Sequence, residues 1–177
     1  MADQSTAPQP DQSVISVSLP TAEPLMAHVR SRFAGELPPP GVPPHITLQY
    51  PWMPPARIDE AALAELESLF AAFPAFDFSL KLGWFGREVL LLVPDDPAPF
   101  VRLTEAILRR WPQYPYYAGE YDQIQPHATL AFGNQTSLSP LAAALADQVP
   151  IRAKASSAEL NCGPPGQMAT RATFTLR

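Results

Sequence analysis

Pro44-His45-Ile46-Thr47-Leu48-Gln49-Tyr50 and Pro126-His127-Ala128-Thr129-Leu130-Ala131-Phe132 carry one pattern twice: proline, histidine, any residue, threonine, leucine. The chain has 3 histidines, 9 threonines and 20 leucines. Threonine two places and leucine three places after a given histidine therefore arises by chance with a probability of roughly 0.006. Two matches among three histidines is a coincidence of about one in ten thousand, before the shared preceding proline is counted. A lone His-x-Thr most often satisfies its own hydrogen bonds within a sheet. Duplication argues instead for one task shared between two halves.

Side chains of a strand alternate between its faces, so His45, Thr47 and Gln49 are expected on one face and Ile46, Leu48 and Tyr50 on the other. The same split groups His127 with Thr129, against Ala128, Leu130 and Phe132. If the halves are related by a pseudo-twofold axis, two imidazoles and two hydroxyls meet in one cleft. Such a set holds a general acid, a general base and two neutral donors for a phosphate. The third histidine, His28, lies in a helical stretch with Arg30 in place of the threonine and reads as structural. A three-histidine zinc site would need His28 to join the pair, and no H-E-x-x-H or carboxylate-spaced ligand set is present, so no metal is expected.

Outward from the motifs, Val14 to Leu19 alternates as a strand, and Leu25, Val29 and Phe33 have helical spacing over about Glu23 to Phe33. The proline-dense stretch Leu37 to Pro44 is a stiff loop. Asp59 caps a helix with an apolar stripe of Leu63, Leu66, Leu69, Phe70 and Phe73. Phe76 to Leu82 and Val89 to Val93 form a hairpin joined by a Gly83–Glu88 turn. Asp96 and Pro97 open a helix bearing Phe100, Leu103, Ile107 and Trp111. After the aromatic loop Pro112 to Pro126 and the second motif, Ser139 and Pro140 open another helix. Ile151 to Leu160 and Met168 to Leu176 follow as a final hairpin. The order predicts an internal repeat with lobes dividing near residue 100, after a short N-terminal tail over residues 1–12; residues 13–177 form one bilobal domain.

Composition bounds the reading. Hydrophobic residues make up 46% and charged residues 16%, against roughly 25% charged in ordinary soluble domains, so a packed core is expected. The 23 prolines against 8 glycines are punctuation between elements. A net charge of −5 argues against a long nucleic acid held on a continuous basic surface and leaves room for a small or terminal phosphate. Lys81, Arg87, Lys154 and Arg171 read as solvated strand faces. The one cysteine, Cys162, excludes an intramolecular disulfide and fits a reducing compartment. No apolar run approaches the roughly 18 residues of a membrane span, and a monomeric cytoplasmic protein with no membrane contact is expected.

At the two motifs the chain resembles the two-histidine phosphoesterase superfamily, which includes the 2′,5′ RNA ligase family and the cyclic nucleotide phosphodiesterases. The resemblance spans about Val14 to Arg177 through element order, lobe duplication and both motifs. It implies an α+β bilobal fold: two mainly antiparallel sheets line a central cleft, helices lie outside, and a pseudo-twofold relates the halves. It implies His45 and His127 as acid and base, with a lean to His45 as acid, and Thr47 and Thr129 as phosphate ligands. Trp84 and Phe85 stand where family members offer an aromatic to a base; Tyr114, Tyr116, Tyr117 and Tyr121 crowd the loop before His127. The implied reaction is metal-independent and cofactor-free hydrolysis of a 2′,3′-cyclic phosphate, on a nucleotide or RNA end, to a 2′-phosphate. A 2′,5′-phosphodiesterase or 2′,5′ RNA ligase is the second reading, and a non-catalytic RNA-end or nucleotide binding module the third. Many RNA ligase-like members follow the second motif with a basic residue; here that place is Phe132.

Overall fold

A strand, a helix and a returning strand recur in the two halves of the computed structural model, which describes residues 11–39 and 41–177. In the first half β1 (Gln12–Ser18), α1 (Glu23–Arg32) and β2 (His45–Gln49) form the unit. After α2 (Glu60–Ala71) and β3 (Phe76–Phe85), the second unit is β4 (Val89–Pro94), α3 (Ala98–Arg110) and β5 (Ala128–Phe132). The chain ends with α4 (Gln135–Leu145), β6 (Ile151–Ala155), β7 (Ser157–Gly163) and β8 (Ala169–Thr175). In both units the returning strand pairs antiparallel with the first and carries a motif: Ser16 opposes Thr47 and Ser18 opposes His45, while Leu91 opposes Thr129. β1 opens at Gln12, the last residue expected in the tail; residues 1–10 lie outside the described residues.

The strands form two four-stranded antiparallel sheets, ordered β2-β1-β7-β8 and β5-β4-β3-β6. Each motif strand is therefore an edge strand, and the two edges adjoin. Packing is reciprocal, with α1 beside β5 and α3 beside β2. This is the α+β architecture expected, with a different division of the chain. The lobes do not split near residue 100. The β3–β4 hairpin belongs to the sheet of the second motif, and the C-terminal β7–β8 hairpin joins the sheet of the first. The stretch Ile151 to Leu160 is correspondingly two strands, β6 paired with β3 and β7 paired with β1. Alternation tells which residues turn inward; it carries no information on which strand receives the hydrogen bonds.

Helix starts follow local chemistry. Asp59 accepts the Ala62 amide at 2.8 Å and caps α2. The helix expected to open at Ser139 and Pro140 begins earlier, because Asn134 and Ser137 form a reciprocal capping box and leave Pro140 inside α4. One core lies under both sheets. Phe100 of α3 is fully buried edge-on against Phe76 and Phe78, with ring centroids 5.1 and 5.0 Å away. Phe70 of α2 stacks on Phe174 of β8 at 5.6 Å. No helix among the described residues is long and apolar enough to cross a membrane.

Phe100→Ala is expected to cost about 3–5 kcal/mol of unfolding free energy, read by urea denaturation. Trp84→Ala, at an exposed site, is expected to stay within about 0.5 kcal/mol.

Candidate active site

Strand geometry sorts the motif residues. Ile46 and Leu48 are fully buried in the core, while His45 and Thr47 face the space between the sheets. Ala128 and Leu130 are likewise buried, and His127 and Thr129 face the same space. One cavity of about 200 Å³ is lined by all four, together with Tyr117 and Phe132. Gln49 departs from the expected face: it is fully buried, and its Nε2 donates to the carbonyls of Tyr114 at 2.6 Å and Pro115 at 3.2 Å. The first motif strand thereby holds the loop that leads to the second. In return the amide of Phe132 in β5 donates to the carbonyl of Glu36, in the loop that leads to the first, at 2.9 Å.

The shared proline has a purpose in this geometry. It restricts the residue before it to an extended conformation, and that residue supplies the carbonyl each imidazole uses. His45 Nδ1 lies 2.9 Å from Pro43 O, and His127 Nδ1 lies 2.6 Å from Gln125 O. A carbonyl only accepts, so Nδ1 is the protonated nitrogen in both rings and Nε2 is the nitrogen free for a substrate. Burial pushes the His127 pKa below the ordinary histidine value; the Gln125 bond opposes this, and nearby His45 adds to it. His127 is thus neutral near pH 7, the form that accepts a proton.

A family model of the 2′-5′ RNA ligase superfamily matches residues 17–161, most of the chain and both motifs. The chain belongs to that superfamily. Among solved structures, E. coli LigT complexed with 3′-AMP is similar over 95% of this chain and 99% of that one, at 15% identity and a TM-score of 0.62. TT0787 of Thermus thermophilus is similar over 94% and 98%, at 22% identity and a TM-score of 0.62. These likenesses establish the two-histidine phosphoesterase fold. Among curated proteins none matches.

Within this superfamily fold the residue that the sequence offered only as one of four loop tyrosines is Tyr117. It lines the central cavity and both flanking ones. Tyr117 and Ala118 have φ of 46° and 55°, two successive left-handed residues that are not glycine. Such positions cost about 1–3 kcal/mol each and persist only where the surroundings impose them. Edge-to-face contacts with Tyr50, Tyr116 and Tyr121 fix the ring, which shares the central cavity with Thr47. Burial holds the phenol above its usual pKa, so it stays a donor. Four tyrosines in one loop gave no sign of which would turn inward.

The flanks differ. Beside His127 a cavity of about 580 Å³ is walled by Phe85, Leu91, Tyr116, Tyr121 and Phe132, with Asp122 at its rim. Beside His45 a cavity of about 480 Å³ sets the hydroxyl, amide and carboxylate groups of Ser16, Ser18, Glu159, Asn161 and Thr170 among apolar residues such as Val14, Val42 and Met168; Ser18 donates to Glu159 at 2.7 Å. Trp84 and Phe85 are the last residues of β3, in the sheet of the second motif rather than a turn of the first lobe. Adjacent strand residues point oppositely, so Phe85 lines the aromatic flank and Trp84 lines none of the three cavities. His28 lines none of them either. Of the cations weighed in sequence, Arg171 donates to the carbonyls of Pro55 and Ile58 ahead of α2, Arg87 lies in the β3–β4 turn, and Lys81 and Lys154 are exposed on strands.

His127 sets a pH dependence of stability. With its folded pKa depressed, the unfolded chain binds more protons below about pH 6.5, so stability falls as pH drops through that value. Urea denaturation of wild type and His127→Gln between about pH 8 and pH 5 is expected to show a smaller decline in the variant.

Proposed function

We propose that this protein is a metal-independent phosphodiesterase that opens a 2′,3′-cyclic phosphate, on a nucleotide or RNA end, to a 2′-phosphate. The observation that carries the reading is the pair of imidazoles in one small cavity, each with Nδ1 tied to a carbonyl and Nε2 free. Water attacks phosphorus while His127 Nε2 takes its proton, and His45 protonates the departing ribose oxygen. The P–O bond to that oxygen breaks and one water is added, so atoms balance without a covalent intermediate. The depressed pKa of His127 supports its assignment as base. Thr47 and Thr129 donate to the non-bridging oxygens. Tyr117 supplies a third hydroxyl where Phe132 offers no charge. E. coli LigT is seen in complex with 3′-AMP and with phosphate, which supports a nucleotide phosphate as ligand of this fold.

The superfamily description favours a second reading, cleavage or reversible joining of 2′,5′-linked ends. Assay of 2′,5′-linked dinucleotides against cyclic phosphates separates the two. A wild type that binds cyclic nucleotides and never turns them over is a binding module.

His45→Ala and His127→Ala are each expected to lower kcat on a 2′,3′-cyclic nucleotide at least about a hundredfold, with wild-type activity unchanged by a chelator. An aryl phosphodiester, whose leaving group needs no proton, is expected to rescue His45→Ala and leave His127→Ala inactive. The reverse pattern swaps the roles. Tyr117→Phe is expected to lower kcat/KM about tenfold, the loss of one hydrogen bond to a charged group. Phe85→Ala is expected to raise KM more than it lowers kcat, since stacking is mostly uniform binding.

A further inference from the structure

The register of the second sheet lines up residues that lie far apart in sequence. Leu91 opposes Thr129 and Leu92 opposes Ala128, so Val93 is level with His127. Val93 in turn opposes Lys81. His127, the residue just before β5, Val93 of β4 and Lys81 of β3 therefore fall in one row, on the face away from the buried Leu90, Leu92 and Leu80. Neighbouring strands are about 4.8 Å apart, which puts the Lys81 backbone roughly 10 Å from that of His127. A lysine side chain spans much of that distance.

The next strand continues the pattern. Ser79 opposes Arg152 and Asp77 opposes Lys154, so Arg152 and Lys154 of β6 share the face of Lys81. All three cations are exposed, and among the described residues none is in an ion pair. Two carboxylates share the area. Asp77 stands across from Lys154, and Asp95 feels Lys81 while its oxygen accepts the Ser79 amide at 2.9 Å. In a chain of net charge −5, three unpaired cations on one strip beginning in the row of a motif histidine are a local exception. Neither flanking cavity has a lysine or arginine among its lining residues, so the strip lies outside both, along the sheet that carries His127.

We propose that Lys81, Arg152 and Lys154 form a short track for the phosphates that precede the reacting end of an RNA strand. The substrate is then an oligonucleotide with a terminal cyclic phosphate rather than a free mononucleotide. This rests on the phosphodiesterase reading and narrows it. The terminal phosphate lies between the histidines, the preceding phosphate meets Lys81, and the next ones meet Arg152 and Lys154. Three contacts are too few for a continuous nucleic-acid surface, and their order gives the strand one direction out of the cleft.

The test compares a tetranucleotide ending in a 2′,3′-cyclic phosphate with the corresponding mononucleotide, by turnover and by equilibrium binding of their 2′-phosphate products at several salt concentrations. For single strands each neutralised phosphate contributes about −0.7 to the slope of log K against log salt, so three contacts make the tetranucleotide slope steeper by about 2. Its kcat/KM is expected to exceed that of the mononucleotide at least tenfold at low salt. The triple variant Lys81→Ala, Arg152→Ala, Lys154→Ala is expected to lose both advantages, and Lys81→Arg to keep them, with folding of each checked by urea denaturation. Equal slopes and equal kcat/KM in wild type overturn the track while leaving the phosphodiesterase reading intact. An advantage that survives the triple variant and disappears in Arg87→Ala also overturns it. Binding with the steeper slope but no turnover upholds the track and overturns the catalytic reading. Absence of both binding and turnover overturns both.

Discussion

Two hydrogen bonds, one from each imidazole to its own chain, organise the site: His45 Nδ1 to the carbonyl of Pro43, and His127 Nδ1 to that of Gln125. Each depends on the proline between the two residues, which holds the preceding peptide extended and aims its carbonyl at the ring. With Nδ1 committed, the ring has one orientation and one tautomer, and the proton chemistry is confined to Nε2. Threonine at the second following place shares the face by strand period, and the leucine after it anchors the strand in the core. A five-residue motif is thus a complete unit of position, tautomer and anchorage, and two copies on adjoining edge strands make a site.

The halves also hold each other. Gln49 of the first motif strand donates to the loop ahead of the second, and the second motif strand donates to the loop ahead of the first. Neither histidine is therefore placed by its own sheet alone. The loop held by Gln49 is the one whose left-handed Tyr117 enters the cavity, so a buried amide in one sheet fixes a hydroxyl between both.

The motifs, most helices and the β3–β4 hairpin were legible in the sequence because they are local: alternation, helical spacing and caps act over a few residues. The partnering of strands was not. Ser156 carries no glycine or proline to mark the point where the chain leaves one sheet for the other, so Ile151 to Leu160 read as one strand. The start of α4 was misplaced because a proline is a louder signal than the Asn134–Ser137 box that decides it. Gln49 had the right period for the cleft and was drawn into the core by carbonyls of a loop distant in sequence. The cation strip failed to appear for the same reason, since Lys81 comes level with His127 only through the register of three strands. The unequal flanks, aromatic beside His127 and hydroxyl-rich beside His45, likewise come from strands that sequence order does not place together.

The central claim, that one imidazole works neutral and the other protonated, is tested most directly by the pH dependence of kcat/KM on a 2′,3′-cyclic phosphate for wild type and both alanine variants. The account predicts a bell in wild type whose rising limb, set by loss of the His127 proton, lies below about pH 6.5. The residual activity of His127→Ala then lacks the rising limb and that of His45→Ala lacks the falling one. A wild-type profile flat across neutrality, or variants that keep both limbs, contradicts it.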